Sequence, residues 1–282
     1  MSKKIDSRIP EGMMEKLLKE KFVYYSIDPS EQLFKQVSGF LYFLRMAKTR
    51  NKRLVLPVFK LREGDFKYEK LFDTKFIGEN FDVIAYSSFN ELSKKNPNIN
   101  KNTEAWIDGF WQLPNNAPDY MQYRKHIKFS PHFYNSAIEF LKNKEPYISI
   151  HWRQDDFLNI RPHVVMKKEQ LVTDIKEKLI KYKVNKVYIS TDCKNEEYLK
   201  YIHENLPTFK LENNNLENPF LAIMESIICS KAVHFTGSLT SLFSLHIAGE
   251  RKISGYDDEF TEIKNVNSQD INARLVQNKK RN

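Results

Sequence analysis

Residues 147–157, YISIHWRQDDF, decide the fold class of this chain. A short β-rich apolar run, residues 147–150, ends abruptly in charged side chains, which predicts a buried strand with those charges at its carboxyl end. In open α/β sheets, that edge is where ligands bind. Arg153 presents its donors in a rigid fork that suits two phosphate oxygens at once. The segment therefore predicts an anion site, with an ordinary surface ion pair as the alternative.

The chain beyond this strand alternates regularly between helical and extended patterns. We predict helices at 171–181, 196–204, 220–229 and 241–248, and strands at 186–190, 209–211 and 232–235. Repeated strand–helix units of this kind predict a doubly wound parallel sheet with helices on both faces.

The N-terminal half contains a second set of such elements. We predict strands at 22–26, 53–57 and 81–86, a helix at 31–50 capped by Ser30, a largely irregular segment at 92–132 and a helix at 133–142. Strand, helix and strand at these separations form a parallel βαβ unit. The sequence thus predicts an α/β protein of two Rossmann-like lobes, residues 1–144 and 145–282, whose parallel sheets face a cleft.

Composition excludes several classes of protein. The 282 residues are 41% hydrophobic and 13% aromatic, which is typical of a globular chain. No apolar run approaches the roughly 20 residues of a membrane span, and no signal peptide is recognisable. The only cysteines, Cys193 and Cys229, have no zinc-site spacing and are expected to be free thiols, so we expect a cytoplasmic protein. Oligomeric state is not predicted.

The net charge of +9 is spread along the chain, apart from a short basic tail at 279–281. This distribution favours an anionic small ligand. Non-specific contact with nucleic acid is an alternative, but no nucleic-acid module is recognisable, so no specific nucleic-acid partner is expected.

Three segments should meet at one edge of the C-terminal sheet, because each directly follows a predicted strand. The first contains His151, Arg153 and Asp156, and the second is Ser190-Thr191-Asp192. The third, residues 236–244, is rich in hydroxyls and opens a helix, where free N–H groups and the helix dipole favour an anion. A plain serine-capped helix is the alternative for the third segment, and a helix cap is the alternative for Asp192.

The segments HWRQDDF, VYISTD and HFTGSLTSLFS, in this order, resemble the GDP-fucose fucosyltransferases, which include the protein O-fucosyltransferases and α1,6-fucosyltransferases. The helix and strand at 36–59 resemble the first helix of that family and the strand after it. The resemblance extends over most of residues 22–249. It implies a GT-B fold with the acceptor beside the N-terminal lobe and the nucleotide sugar on the C-terminal lobe. It also implies an inverting reaction that needs neither a metal ion nor another cofactor.

The resemblance assigns roles to individual residues. Arg153 matches the catalytic arginine that contacts the donor diphosphate and stabilises the departing GDP, and Asp156 matches an acid that orients it. The remaining positions implied to bind the nucleotide sugar are His151, Asp192, Glu225, Gly237, Ser241, Phe243, Ser244, Lys35 and Gln36. Gly237, in the third segment, is also expected to let the backbone approach the ligand closely. Glu225 could accept from guanine, although a helix-surface glutamate is the alternative.

Two positions depart from the family pattern. The glycine-rich turn before the first helix is replaced by residues 31–36, EQLFKQ, in which Lys35 could supply a replacement cation. Leu242 stands where a hydroxyl is common. The expected function is fucose transfer from GDP-fucose to a glycan or protein hydroxyl. The alternatives are another nucleotide sugar, a silent family member that binds a glycan or protein, and a metal-dependent GT-A enzyme using 155–156 or 257–258.

Overall fold

The computed structural model describes residues 22–26, 31–101, 103–107, 113, 117–144, 146–160, 162–211 and 219–264. The chain divides into two compact units, Met1–Ser130 and Pro131–Asn282. This division falls earlier than the one predicted at 144/145. The reason is that helix α7 (Pro131–Leu141) packs against α11 (Phe220–Lys231) of the second unit, where the rings of Phe133 and Phe220 stack with centroids 5.8 Å apart.

The first unit contains a parallel sheet and a β-hairpin. Its described elements are β1 (Phe22–Ser26), α1 (Leu33–Thr49), β2 (Arg53–Val55), β3 (Val58–Leu61), β4 (Gly64–Lys67), α2 (Tyr68–Leu71), α3 (Thr74–Gly78), β5 (Val83–Ile84), α4 (Tyr86–Lys95), α5 (Asn98–Lys101), β6 (Glu104–Ile107) and α6 (Tyr120–Arg124). The sheet has the order β5-β2-β1-β6 with all pairs parallel, and β3 and β4 form the antiparallel hairpin.

Helix α1 forms because apolar residues recur at helical spacing, and Val37, Phe40 and Leu44 are all buried as predicted. It begins after Gln32, which makes no side-chain capping bond, and not after Ser30, which lies outside the described residues. Its buried face packs on the sheet through aromatic contacts, including a stacked pair of Tyr25 and Phe43 with ring centroids 4.3 Å apart.

The second unit contains one five-stranded sheet. Its described elements after α7 are β7 (Ile148–Trp152), α8 (Asp155–Ile160), α9 (Lys168–Tyr182), β8 (Val187–Thr191), α10 (Glu196–Asn205), β9 (Thr208–Phe209), α11, β10 (His234–Ser238), α12 (Leu242–Ile253) and β11 (Thr261–Lys264), with short 3₁₀ turns at Pro162–Val164 and Asp258–Phe260. All strand pairs are parallel, in the order β11-β10-β7-β8-β9.

The order of these strands reverses between β7 and β10. Strands β7, β8 and β9 follow one another outward, and the chain then returns to the opposite side of β7 to form β10 and β11. In doubly wound sheets the crevice outside the carboxyl ends of the strands at such a reversal is the usual ligand site. The segments that follow β7 and β10 therefore occupy the position from which a ligand would be held.

Strand β7 is buried along its whole length because helices cover both of its faces. Ile148, Ile150 and Trp152 point toward α9 and α10 and share a hydrophobic cluster with them. Ser149 and His151 point to the other face, where the Ser149 hydroxyl donates to the Cys229 carbonyl of α11 at 2.9 Å. Successive side chains of a strand alternate between faces, so this one strand builds both the core and the site.

Arg251 of α12 fixes the edge of the sheet. Its side chain is fully buried and donates to the carbonyls of Ser230, Ala232, Val233 and Phe260 and to the Thr261 hydroxyl, at 2.6–3.2 Å. These bonds tie the connection before β10 to the start of β11. Among the described residues, no helix is both long and apolar enough to span a membrane.

Candidate active site

Arg153, directly after β7, pairs with Asp192, directly after β8. The guanidinium Nη1 lies 2.8 Å from Asp192 Oδ2, and the two side chains are only 16% and 23% exposed. The other carboxylate oxygen accepts the Gln154 backbone N–H at 2.7 Å. Asp192 is therefore not the cap of α10; that role belongs to Asn195, which accepts from the Tyr198 N–H. The ion pair therefore fixes the Arg153 guanidinium group at the carboxyl edge of the sheet.

Ser238, the last residue of β10, joins this strand end to the end of β7. Its hydroxyl donates to the His151 carbonyl at 2.8 Å and accepts the Arg153 backbone N–H at 3.0 Å. Sequence reasoning did not single out Ser238. Ser238 could have been predicted as a site residue, because it ends the strand that lies beside β7.

His151 reaches the start of α12 on the α11-facing side of the sheet. Its Nδ1 lies 2.7 Å from the Ser244 hydroxyl, which also accepts the Ser238 N–H at 3.0 Å. Burial, together with the nearby charge of Arg153, lowers the pKa of His151 to about 3. The ring is therefore neutral near pH 7. In the tautomer in which Ser244 donates to Nδ1, the ring proton lies on Nε2 and can be donated to an oxygen.

The N-terminus of α12 begins at the same place. Ser241 is its N-cap and accepts the Ser244 N–H at 3.4 Å, and the Phe243 ring lies 4.7 Å from the His151 ring between centroids. Thr240 before the cap has a φ of +64°. The first-turn N–H groups and the helix dipole favour an anion at this end.

Gly237 has a packing role in the structure, and its predicted contact with a ligand stays a prediction. A Cβ there would lie 2.6 Å from Ile263 Cδ1 and 2.8 Å from Ser244 Cβ. The glycine lets Ser244 and Ile263 approach β10 closely.

Glu225 of α11 lies against β8 and is not a helix-surface glutamate. Its carboxylate accepts the Ser190 hydroxyl at 2.9 Å and the Tyr188 hydroxyl at 3.4 Å. Burial raises the pKa of Glu225 to about 7, and the two hydroxyl hydrogen bonds oppose that rise. A half-protonated acid can both donate to and accept from a polar ligand.

The predicted partner of Arg153, Asp156, belongs to α8, but its side chain lies outside the described residues. The orienting contact that the structure does give Arg153 comes from Asp192. Phe157 of the same helix lies beneath the guanidinium, whose Cζ is 5.2 Å from the ring centroid.

The two predicted N-terminal site residues belong to the first unit. Lys35 pairs with Glu31 one turn away in sequence. The buried Gln36 amide donates to the carbonyls of Glu31 and Lys60 at 2.6 and 2.5 Å and accepts the Lys60 N–H at 3.0 Å. Gln36 therefore ties the start of α1 to β3, which is a structural role.

Metal-ligating side chains do not gather in the part of the chain that the structure describes: no three His, Cys, Asp or Glu residues there could hold a metal ion. The side chains of residues 155–156 lie outside that part. In the other candidate carboxylate pair, 257–258, Asp258 Oδ2 lies 3.8 Å from Lys252 Nζ.

Residues 99–254 match the family described as GDP-fucose protein O-fucosyltransferase. GDP-fucose protein O-fucosyltransferase 2 of Homo sapiens is 31% identical over 121 residues, which are 41% of this chain and 28% of that protein. The protein of the same name from Plasmodium berghei is 31% identical over 144 residues, 49% of this chain and 29% of that protein. The matched region thus spans less than a third of the length of these relatives.

Solved structures share the fold. The crystal structure of POFUT1 in complex with GDP-fucose superposes with a TM-score of 0.69 at 14% identity, covering 86% of this chain and 96% of that one. NodZ α-1,6-fucosyltransferase co-crystallised with GDP gives a TM-score of 0.52 at 13% identity, covering 82% and 92%. The predicted α/β class with parallel sheets, of GT-B type, is confirmed.

Proposed function

Because the chain belongs to the GDP-fucose protein O-fucosyltransferase family, we propose that it transfers fucose from GDP-fucose to a hydroxyl of a protein or glycan. The observation that carries the proposal is Arg153 at the strand reversal of the second unit, held there by its ion pair with Asp192. A GDP-fucose-bound relative of the same fold supports this donor.

Arg153 would stabilise the leaving group. In the transfer, the acceptor oxygen forms a bond to the sugar C1 while the bond from C1 to the β-phosphate oxygen breaks. GDP leaves with that electron pair, and the proton of the acceptor hydroxyl is released to the departing phosphate or to water. A guanidinium held in place before the reaction stabilises the developing negative charge without reorganising. Asp192 is the positioning residue, since its carboxylate holds one side of the guanidinium group in place.

The start of α12 and His151 would contact the diphosphate as neutral donors. A histidine whose pKa is about 3 contributes no positive charge near pH 7, so its Nε2–H can only act as a hydrogen-bond donor. The helix N-terminus adds N–H groups and a favourable dipole. Arg153 then remains the principal positive charge on the departing phosphate.

Inversion at the sugar and independence from a metal ion are parts of the proposal. A direct attack by the acceptor oxygen inverts the configuration at C1, and a fixed arginine can take the place of a metal ion at the diphosphate. Transfer that continues at an undiminished rate after EDTA treatment is expected. Loss of transfer that Mg²⁺ or Mn²⁺ restores would contradict this part of the proposal.

The nucleotide can be identified by calorimetric titration with GDP, UDP and their sugar conjugates. We expect GDP and GDP-fucose to bind in the micromolar range, and UDP-sugars not to bind. Tight binding of a UDP-sugar without GDP binding would identify a transferase for another donor.

A silent family member that binds a glycan or protein is the second candidate, and residues 31–36 are the observation that favours it. Lys35 pairs with Glu31, and Gln36 is occupied in linking α1 to β3. Slow hydrolysis of GDP-fucose without acceptor separates the two candidates, because a transferase releases GDP in this assay and a silent protein does not.

A cytoplasmic location is also proposed. It is supported by Cys193 and Cys229, which are not joined in a disulfide. Fractionation of cells that produce the full-length protein tests this part.

A further inference from the structure

The backbone pairing between β7 and β10 ends before either strand does. The last pair of this ladder is Thr236 with Ile150. Beyond it, β7 continues beside β8 as far as Trp152, and β10 continues beside β11 as far as Ser238. The ladder therefore stops at the strand reversal, where the crevice of a doubly wound sheet opens.

The Ser238 side chain bridges the two strands beyond that point. In a parallel ladder continued in the same register, Ser238 would face Trp152, and its backbone N–H and C=O would bond to the His151 carbonyl and the Arg153 N–H. The Ser238 hydroxyl makes both bonds instead, donating to the carbonyl at 2.8 Å and accepting the N–H at 3.0 Å. One side chain thus takes the place of the missing ladder.

This replacement leaves the backbone N–H of Ser238 available for another bond. It is donated to the Ser244 hydroxyl, in the first turn of α12, at 3.0 Å. Ser238 is therefore bonded both to the Arg153 backbone and to the helix start, which are the two elements proposed to contact the diphosphate.

The opposite side of the turn that carries Arg153 is held from β8. The Thr191 hydroxyl donates to the Trp152 carbonyl at 2.6 Å, and Asp192 accepts the Gln154 N–H at 2.7 Å. Without the Ser238 hydroxyl, the turn would keep these bonds but would lose its connection to β10. The arginine could then shift relative to the start of α12.

We propose that Ser238 is a positioning residue for transfer, which sets the place of Arg153 relative to the N-terminus of α12; the inference rests on the proposed function. Charge develops on the departing phosphate only in the transition state, so a misplaced guanidinium weakens catalysis more than it weakens binding of GDP. Loss of the hydroxyl should consequently separate kcat from nucleotide affinity.

The test measures kcat for GDP release from GDP-fucose, and the Kd of GDP by calorimetry. In Ser238→Ala, kcat should fall by roughly 10-fold while the Kd of GDP changes by less than about threefold. Ser238→Thr keeps the hydroxyl and should restore most of the rate. Ser238→Cys, whose hydrogen bonds are weaker, should lie between alanine and wild type, and it provides the same test if the alanine variant does not fold.

Ser149→Ala is the matched control. It removes a buried hydroxyl of β7 that donates to the Cys229 carbonyl at 2.9 Å and has no bond to the turn that carries Arg153. Its kcat should equal that of wild type, even where its melting temperature falls as far as that of Ser238→Ala.

A second measurement separates positioning from other roles. In an Arg153→Ala background, Ser238→Ala should cause no further loss of kcat, because Ser238 acts through Arg153. A full additional loss there would overturn the inference, and so would a wild-type kcat in a folded Ser238→Ala variant. Both results would leave the proposed function intact. Wild type that releases no GDP from GDP-fucose would overturn the proposed function and this inference with it.

Discussion

The Asp192 carboxylate lies 2.8 Å from the Arg153 guanidinium and also accepts the Gln154 N–H at 2.7 Å. One side chain from the end of β8 therefore fixes both the cation and the backbone beside it. Arg153 and Asp192 are 39 residues apart in the chain but follow adjacent parallel strands, in which Trp152 is paired with Thr191. The arrangement makes Asp192 a positioning residue for Arg153.

Asp192→Asn should lower kcat for GDP-fucose turnover by roughly 10- to 100-fold, because the guanidinium loses its charged partner and its fixed geometry. The amide oxygen can still accept the Gln154 N–H, so the melting temperature should change little. Steady-state kinetics with calorimetry of GDP binding would check this, with Asp82→Asn at the ion pair with Arg53 as control.

A double variant separates positioning from a purely structural role. In an Arg153→Ala background, Asp192→Asn should cause no further loss of kcat, because the residues act as one unit. Fully multiplicative losses in the double variant would show that Asp192 acts independently of Arg153.

Gly237→Ala should destabilise the protein by about 1–3 kcal/mol, because its Cβ would overlap Ser244 and Ile263 in packed surroundings. Thermal unfolding would detect a fall of several degrees. Gly78→Ala is the control, since a Cβ there meets nothing within 4 Å, and its effect should stay within about 0.5 kcal/mol. Equal melting temperatures for both alanine variants and wild type would contradict the close packing at Gly237.

Glu225 should make stability depend on pH. Its pKa is raised from 4.5 to about 7, mainly by burial, so the folded state retains a proton that the unfolded state has released between these pH values. The resulting contribution to stability is fully present below pH 4.5 and is lost as pH rises through 7.

Glu225→Gln tests this dependence, because the amide does not titrate. The free energy of unfolding of wild type minus that of the variant should fall by on the order of 1–3 kcal/mol between pH 5 and pH 8. Titration of His151 is common to both proteins and cancels in the difference. For the control Glu204→Gln, at an exposed position, the same difference in unfolding free energy should not change with pH. A flat profile for Glu225→Gln would show that the carboxyl titrates normally.

Much of the second unit could be predicted because its signals are local. Buried parallel strands appear as short apolar runs, and residues that follow adjacent parallel strands must share an edge, so His151, Asp192 and Ser244 were expected near one another. Side-chain direction does not follow from such patterns. The pairing of Arg153 with Asp192 therefore had to come from the structure.

Other features escaped prediction for identifiable reasons. Strand β6 is only four residues long, and its pairing with β1 joins residues distant in sequence. The hairpin of β3 and β4 turns at Gly64, whose φ of +133° suits glycine, and this residue was an available signal. The apolar sequence around Glu225, FLAIMESIIC, indicates a helix buried on most sides, which should have predicted a buried carboxyl.

Release of GDP from GDP-fucose by wild type and by Arg153→Ala measures the role of Arg153 directly. We expect wild type to turn over GDP-fucose and the variant to be slower by roughly 100- to 1,000-fold, with its melting temperature nearly unchanged. Turnover by a folded Arg153→Ala variant at the wild-type rate would contradict the assignment of Arg153 as the group that stabilises the departing GDP.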